Sequence, residues 1–262
     1  MVSGAIVPTL FFGAPCWALV VHHQKILAEL DSVLAMSAKF AFGLECNTST
    51  EVSLAIAGIL PARLHIIRQT LRYFVRRRRE ELFRDPTPIH RFYVTPMELG
   101  RWWFHRFVRG RTLRDPPPQL TRPILNGIVC ALRAEWQCRW DVSDTGSALR
   151  AIHAHIGCGW RPVDIDRCSQ LELTLVARFI MGHCHLHDFA FPWDFDELAD
   201  CPWCGDAFSR SHMLWDYIGL TSERAAVLQV GSHVGDLEWV ARHRASSLGK
   251  FLIRARSVLA RG

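Results

Sequence analysis

Apolar residues recur at helical spacing in nearly every long segment of this 262-residue chain, and this periodicity is what most constrains its fold. The segments are 25–42, the stretch that begins at Pro61, 124–140 and 236–259, the last read as one long helix. Only 169–182 carries two competing periods, one typical of a helix and one of a strand. With 49% hydrophobic and 21% charged residues, the chain has enough apolar side chains for a sizeable core. The sequence therefore predicts a mainly α protein.

Local signals place the start and end of a short helix in NTSTEVSLAIAG. Thr48 is predicted as its N-cap, with Glu51 three residues later completing a capping box. Gly58 is predicted to end the helix, because glycine readily takes the left-handed conformation found after helix C-termini. These signals support the helical prediction independently of periodicity.

Proline-rich punctuation divides the chain. DPTP, DPPPQL and TRP fall between residues 84 and 123, which predicts a helical region over 1–83, a connector over 84–123 and a helical tail over 124–262. Two helical lobes joined by this connector are the expected architecture. The connector contains one aromatic and basic helix, in which Trp102 and Trp103 are expected mainly in the core; stacking on nucleic-acid bases is the alternative.

Positive charge is concentrated in one helix. The net charge is +6 and nearly all the basic residues are arginines, which suit bidentate contacts with phosphate. This composition favours an anionic partner, RNA or DNA, and the candidate contact residues are Arg68, Arg72, Arg76, Arg77, Arg78 and Arg79. The alternative is a solvated helix end, in which arginines complement the helix dipole and Glu80 and Glu81 partly neutralise them.

Residues 1–21 carry no charged side chain and are long enough to be considered as a membrane anchor. Pro8, Gly13 and Pro15 interrupt this stretch, and no basic residue precedes it. We therefore expect a buried core segment and no membrane partner, with a membrane-anchored protein as the alternative. Nine cysteines, mostly isolated, fit reduced thiols in a nuclear or cytoplasmic protein better than a disulfide framework.

The strongest chemical signal is CPWCGDAFSRSHMLWDY, residues 201–217. Cys201, Cys204 and His212 have the residue types and spacing of zinc ligands. The fourth ligand is left open among Asp206, Asp216 and the residues His183, Cys184, His185 and His187. A structural zinc site and a degenerate, non-binding site are both consistent with the pattern. A zinc-dependent hydrolase, with water on an open metal position, is a further alternative.

Other catalytic patterns are missing from the sequence. It contains no G-x-S-x-G, no glycine-rich phosphate loop and no H-E-x-x-H. These absences count against an α/β-hydrolase, a P-loop enzyme and a zincin. We therefore do not expect an enzyme that uses one of these motifs.

Taken in order, several motifs resemble the C-terminal part of non-LTR (LINE-type) retrotransposon polyproteins that carry reverse transcriptase. Phe12-Gly13 and Trp17 resemble a segment that follows the polymerase palm, and TSTEVSLAIAGILP is similar to the family's T-S-T-x-x-L-x-x-x-A-G-x-x-P stretch in the thumb. WQCRWDVSDTG is similar to W-x-x-x-W-x-x-S-x-x-G, and LELTLVARFIMGH to L-T-x-x-L-T-G-H. Residues 201–217 resemble C-x-x-C-G-x-x-x-x-x-x-H-x-L-x-x-C.

The resemblance implies a thumb and zinc-knuckle tail that bind nucleic acid, from a family whose complete members are RNA-directed DNA polymerases. The F/Y-x-D-D carboxylates of the polymerase, the ribonuclease H acidic set and a recognisable endonuclease are missing, which implies a non-catalytic remnant. Tyr217 stands where the family has its fourth cysteine, and Met1 falls inside the thumb. We therefore expect a truncated or decayed copy with a degenerate zinc knuckle.

Overall fold

A computed structural model describes residues 2–81, 94–107, 121–156, 159–182, 204–206, 210–228 and 237–259. These residues form a mainly α structure, as the periodicity predicts, and no strand occurs among them. The helices are α1 (Val2–Leu10), α2 (Gln24–Phe42), α3 (Thr50–Ala57), α4 (Ala62–Glu81), α5 (Val94–Phe107), α6 (Thr121–Asp141), α7 (Ser147–Arg150), α8 (Gln170–Ile180), α9 (Arg210–Trp215), α10 (Thr221–Val227), α11 (Leu237–His243) and α12 (Ala245–Leu259). Short 3₁₀ segments cover Ala14–His22, Ile165–Arg167 and Ile218–Leu220.

The chain forms two compact units, each assembled from separate stretches of sequence. The first unit comprises Met1–Ala38 and Gly58–Ser143, and the second comprises Lys39–Ala57 and Asp144–Gly262. The predicted division into 1–83, 84–123 and 124–262 follows chain order, whereas these units interleave. Helix α5, inside the predicted connector, packs against α4.

Helix α4 is the centre of the first unit. It contacts the 3₁₀ segment Ala14–His22, α5 and α6, and most of its surface is covered. Leu64, Ile67, Leu71 and Phe74 are buried on its apolar face, as the spacing predicts. In α5, Trp103 and Phe104 are buried against this unit, while Trp102 is 55% exposed. The expectation that most of these aromatic residues belong to the core is therefore confirmed for Trp103 and Phe104.

A close approach of two helices organises the second unit. Helices α8 and α12 pack together, and a Cβ added to Gly249 would lie 2.5 Å from Cβ of Glu172 and 2.9 Å from its Cα. Only a residue without a side chain fits at such a crossing. Helix α8 begins with a capping box, in which Ser169 Oγ accepts from the Glu172 amide and Glu172 Oε2 accepts from the Ser169 amide. This box settles the competing periods of 169–182 in favour of a helix.

Two local predictions differ from the structure. The cap of α3 is Ser49, whose Oγ accepts from the amide of Val52 at 3.2 Å, while the predicted cap Thr48 is buried. The predicted single helix over 236–259 is divided into α11 and α12 at Arg244. Asp164 stabilises the new helix start, because its carboxylate accepts from the amides of Ala245 and Ser246. A side chain about eighty positions away in sequence cannot be inferred from local spacing.

The apolar N-terminal stretch is broken into two short helical pieces. Helix α1 ends at Leu10, and Gly13 takes the left-handed conformation (φ 67°) before the 3₁₀ segment begins. Phe11, Ala14, Ala18 and Val21 are buried. Among the described residues, no single helix combines the length and apolar character needed to cross a membrane, although Thr50–Ala57 and Ala62–Arg76 reach that length when they are counted together.

Candidate metal centre and nucleic-acid interface

Three potential metal ligands converge in the second unit. The Cys204 sulfur, a carboxylate oxygen of Asp206 and a ring nitrogen of His212 all lie within 4.8 Å of one another. Cys204 and Asp206 are exposed on a turn, with Gly205 between them in the left-handed conformation (φ 78°). His212 is buried, and it is presented by α9. A rigid buried imidazole thus faces two side chains of an exposed turn.

The separation of the cysteine sulfur and the histidine nitrogen is close to that of two ligands on one zinc ion. The Cys204 sulfur lies 3.4 Å from Nε2 of His212. In a tetrahedral zinc centre the sulfur and nitrogen ligands are about 3.6 Å apart, given metal distances of about 2.3 Å and 2.1 Å. A thiol hydrogen bond to the imidazole also accounts for this separation. The donor set, with sulfur, nitrogen and carboxylate oxygen, is one that zinc accepts.

The second nitrogen of His212 faces a carboxylate. Its Nδ1 lies 4.0 Å from Oδ2 of Asp216, one helical turn further on. Metal-binding histidines commonly direct their other ring nitrogen towards such a group, which orients the imidazole and raises its basicity. Asp216 is therefore placed to orient His212, and its sequence position four residues away fixes this geometry.

Tyr217 occupies a core position beside His212. Its side chain is buried, and its ring meets the His212 ring edge-on with 6.5 Å between centroids. The ring also fills the space next to Gly219, where an added Cβ would lie 2.8 Å from it. Tyr217 packs against the histidine from the side, as a buried aromatic residue does in a core.

Sequence reasoning located this cluster only in part. The structure brings Cys204 and His212 together as the motif predicts, while Cys201 lies outside the described residues. Asp206 was one of several candidate fourth ligands, and the structure places it beside the other two. The candidates His183, Cys184, His185 and His187 also lie outside the described residues.

The candidate nucleic-acid interface is the arginine face of α4. We use this name for Arg68, Arg72 and Arg76, which are spaced four residues apart and so follow one side of the helix. Arg68 and Arg72 are half-buried and Arg76 is exposed. The backbone of α4 continues through the positions of Arg77, Arg78 and Arg79 to Glu81, but their side chains are outside the described residues.

Within the described residues, the positive charge of the arginine face has no carboxylate partner. Arg68 Nε is buried without a hydrogen-bond partner in the described part of the chain. Burial lowers the pKa of Arg68, and the neighbouring charges of Arg72 and of Arg133 on α6 lower it further. On α6, the carboxylate Glu135 pairs with Arg139 and lies 4.0 Å from Arg106. Sequence reasoning missed Arg133, since only the packing of α6 on α4 brings it near.

Other arginines have structural roles in the second unit. They donate to main-chain carbonyls, mostly near helix C-termini, where carbonyl groups lack partners within the helix. The pairs are Arg178 Nε with Gly43 O at 2.8 Å, Arg210 with Ile180 O at 2.6 Å, Arg224 with Leu214 O and Tyr217 O at 2.8 Å each, and Arg244 with Leu228 O at 2.9 Å. The abundance of arginine therefore has a structural explanation in this unit, which does not extend to the arginine face of α4.

An exposed aromatic side chain lies in the same unit as the arginine face. Trp102 on α5 is 55% exposed, and the Arg106 guanidinium lies 5.7 Å from the centre of its ring. An exposed indole next to a guanidinium is a surface on which a nucleic-acid base can stack. Stacking on a nucleic-acid base therefore remains an alternative for Trp102, whereas Trp103 and Phe104 are buried in the core.

Comparison with known proteins identifies no relative: no family model matches the chain, and no curated protein or solved structure matches it.

Proposed function

We propose that this chain binds RNA or DNA through the arginine face of α4 and does not itself catalyse a reaction. The observation that carries the proposal is the set of half-buried and exposed arginines on one side of a helix whose other sides are packed. No described carboxylate neutralises Arg68, Arg72 or Arg76. The resemblance to the thumb and tail of LINE-type reverse transcriptases supports the same partner.

The chemistry follows from the side chains. Guanidinium groups donate paired hydrogen bonds to phosphate oxygens, and a rigid helix holds several of them in a row along a nucleic-acid backbone. Trp102, beside Arg106, adds a flat apolar surface for an unpaired base. Such contacts confer affinity with little sequence preference. The sequence lacks the F/Y-x-D-D pair that polymerisation requires, so we propose binding alone.

The test measures binding to a fluorescent single-stranded oligonucleotide by anisotropy over a series of salt concentrations. Binding through phosphates makes the logarithm of affinity fall linearly with the logarithm of salt, with a slope of about 0.7 per phosphate contact for single strands. Arg76→Gln is expected to remove about one phosphate contact and so to lower the slope by about 0.7. Arg254→Gln, which removes an equal charge from an exposed position on α12 in the second unit, is the charge-matched control. Affinity that is independent of salt, or no binding at low salt, would contradict the proposal.

We also propose a structural zinc ion on Cys204, Asp206 and His212, as a degenerate form of the zinc knuckle. The convergence of the three ligand atoms within 4.8 Å supports it. Cys201 completes a four-ligand set in this proposal. With four protein ligands the metal has no open position for a reactive water, which separates this proposal from a zinc hydrolase. Zinc-dependent hydrolysis of a model ester would favour the hydrolase.

A further inference from the structure

We infer that the nucleic acid bound by this chain is single-stranded and that one of its unpaired bases stacks on Trp102; this inference rests on the proposed function. Trp102 lies on α5 in the first unit and is 55% exposed. The face of a base is open to a protein ring only when the base is unpaired and turned out of its stack. A duplex therefore offers phosphates to the arginines but no base face to this ring.

Trp102 is exposed on a helix that is closely packed on either side of it. Trp103 and Phe104 are buried, and the Phe104 ring lies 6.0 Å from the ring of Phe74 on α4, measured between centroids. Two residues before Trp102, a Cβ added to Gly100 would lie 2.7 Å from Cβ of Phe74, so α5 and α4 approach closely there. The exposed indole is thus presented from a rigid support, as a binding site requires.

Arg106 holds the indole from one side. Its guanidinium lies over the Trp102 ring, 5.7 Å from the ring centre, and its Nη2 is 4.0 Å from Oε2 of Glu135 on α6. Glu135 therefore keeps Arg106 near the ring, and two helices together fix the aromatic–cation pair. Because one guanidinium covers at most one face of an indole, and Trp102 is more than half exposed, the ring keeps accessible surface for a base.

The second unit contains a tryptophan in a similar setting whose stacking position is already taken. Trp239 on α11 also has a guanidinium 5.7 Å from its ring centre, that of Arg244. However, His243 stacks on Trp239 with 5.0 Å between centroids and 24° between the ring planes, and Trp239 is 39% exposed. Among the described side chains, no ring stacks on Trp102 in this way. Exposure next to an arginine therefore leaves a place for a base at Trp102 but not at Trp239.

Positive charge beside the ring suits the phosphate that accompanies each base. Arg106 and Arg139 share the single carboxylate of Glu135, so these three side chains carry a net positive charge, and both arginines are exposed. In sites for single strands, aromatic rings take the bases while arginines follow the backbone. A purely apolar ligand would gain nothing from the charge, and a free phosphate would gain nothing from the ring. A single strand offers a partner to both.

The first measurement separates stacking from phosphate contacts by their dependence on salt. The anisotropy titration of the full chain with a single-stranded oligonucleotide is repeated with Trp102→Ala, which is expected to weaken binding about tenfold, the loss typical of one stacked base. The slope of log affinity against log salt is expected to stay that of the wild type, because stacking on an uncharged ring releases no counterions. Equal affinities of the wild type and Trp102→Ala would overturn the inference.

Two further variants make this measurement specific. Trp102→Phe keeps an aromatic face at the same position, and it is expected to lose less affinity than Trp102→Ala does. Trp239→Ala is the matched control, because it removes a partly exposed indole that also lies beside an arginine, and it is expected to bind as the wild type does. An equal loss of affinity in Trp239→Ala and Trp102→Ala would overturn the assignment of the base to Trp102.

The second measurement changes the ligand, so that it also tests the wild-type protein. A strand of abasic sites keeps the phosphates but has no bases, and the wild type is expected to bind it about tenfold more weakly than the ordinary strand. Trp102→Ala is expected to bind the abasic strand, and a blunt duplex of the same length, as tightly as the wild type does. A loss of duplex affinity in Trp102→Ala equal to the loss for the single strand would overturn the inference.

The outcomes separate this inference from the proposed function. Salt-dependent binding of the single strand that Trp102→Ala leaves unchanged overturns the inference, while the proposed function stands on the arginine face. No binding of any strand at low salt overturns the proposed function and the inference with it. A loss in Trp102→Ala that is confined to the ordinary single strand supports both.

Discussion

The sulfur of Cys204 lies 3.4 Å from Nε2 of His212, so an exposed cysteine on a turn faces a buried imidazole of α9. Asp206 is the third group at this position, and Asp216 lies 4.0 Å from the other ring nitrogen. Helix α9 and the turn at Gly205 together produce the arrangement. The Cys204 sulfur and the His212 nitrogen either share a proton in a hydrogen bond or bind the same metal ion, and zinc analysis distinguishes the two.

We expect the purified chain to retain about one zinc ion after dialysis, measured by elemental mass spectrometry, because three to four ligands suffice for a stable site. Cys204→Ser and His212→Gln are each expected to lose the metal. Asp206→Asn is expected to weaken binding about tenfold, since it removes a charged oxygen ligand. Cys130→Ser, which removes an exposed cysteine of α6, is the control. Zinc retained in both Cys204→Ser and His212→Gln would place the ion elsewhere.

Tyr217→Cys is expected to have two effects of opposite sign. A cysteine at the motif's last position is expected to displace the Asp206 carboxylate from the four-ligand set and so strengthen zinc binding, measured by competition with a chelator. In the metal-free protein the same change removes a buried ring packed against His212, and truncation of a buried aromatic residue costs about 3 kcal/mol or more. The melting temperature is therefore expected to fall without zinc and to recover with it. Unchanged zinc affinity would mean that Asp206 or another residue keeps its place on the metal, or that the resemblance misleads at this position.

Acid is expected to destabilise the first unit through His65. This buried imidazole stacks on Phe11, with 4.8 Å between centroids, and burial followed by the charge of Arg68 lowers its pKa from 6.5 to about 4. The unfolded chain therefore takes up the proton first. The stabilising contribution is complete above pH 6.5 and is lost as the pH falls towards 4, by about 2 kcal/mol at pH 4.5.

His65→Leu is expected to remove this part of the pH dependence, measured by urea unfolding between pH 7 and 4.5. His22→Gln, which replaces an exposed histidine, is the control and is expected to keep the wild-type profile. His153 in the second unit has a pKa lowered to about 4 mainly by burial, so a residual acid effect is expected in both variants. A profile of His65→Leu that parallels the wild type would contradict the assignment.

Two glycines in helix interiors are expected to respond oppositely to alanine. Gly249→Ala in α12 forces a methyl group against Glu172, including its backbone, and such overpacking costs about 1–3 kcal/mol. Gly127→Ala in α6 meets no atom within 4 Å and is expected to stabilise the helix by about 1 kcal/mol, the propensity difference between the residues. Melting temperatures that shift in the same direction would show that the α8–α12 crossing adjusts freely.

Most of the helices could be predicted because their signals are local. The apolar spacing of 25–42 and 124–140 marks α2 and α6 to within a few residues, and Gly58 ends the α3 region in the left-handed conformation expected of it. The cap of α3 was missed by one residue, and the larger failure occurred where a distant residue intervened. The long helix predicted over 236–259 is interrupted, and Asp164 caps the second piece from outside that segment.

The sequence by itself determined the helical class of the protein, the pairing of Cys204 with His212, and the concentration of arginine on α4, because these follow from residue type and short-range spacing. Only the tertiary structure decided which groups surround them. Asp206 stands beside Cys204 and His212, and Asp164 accepts from the amides at the start of α12. The physical reason is that charges and ligands act over a few ångströms in space, and neighbours at that range are set by how helices and turns pack.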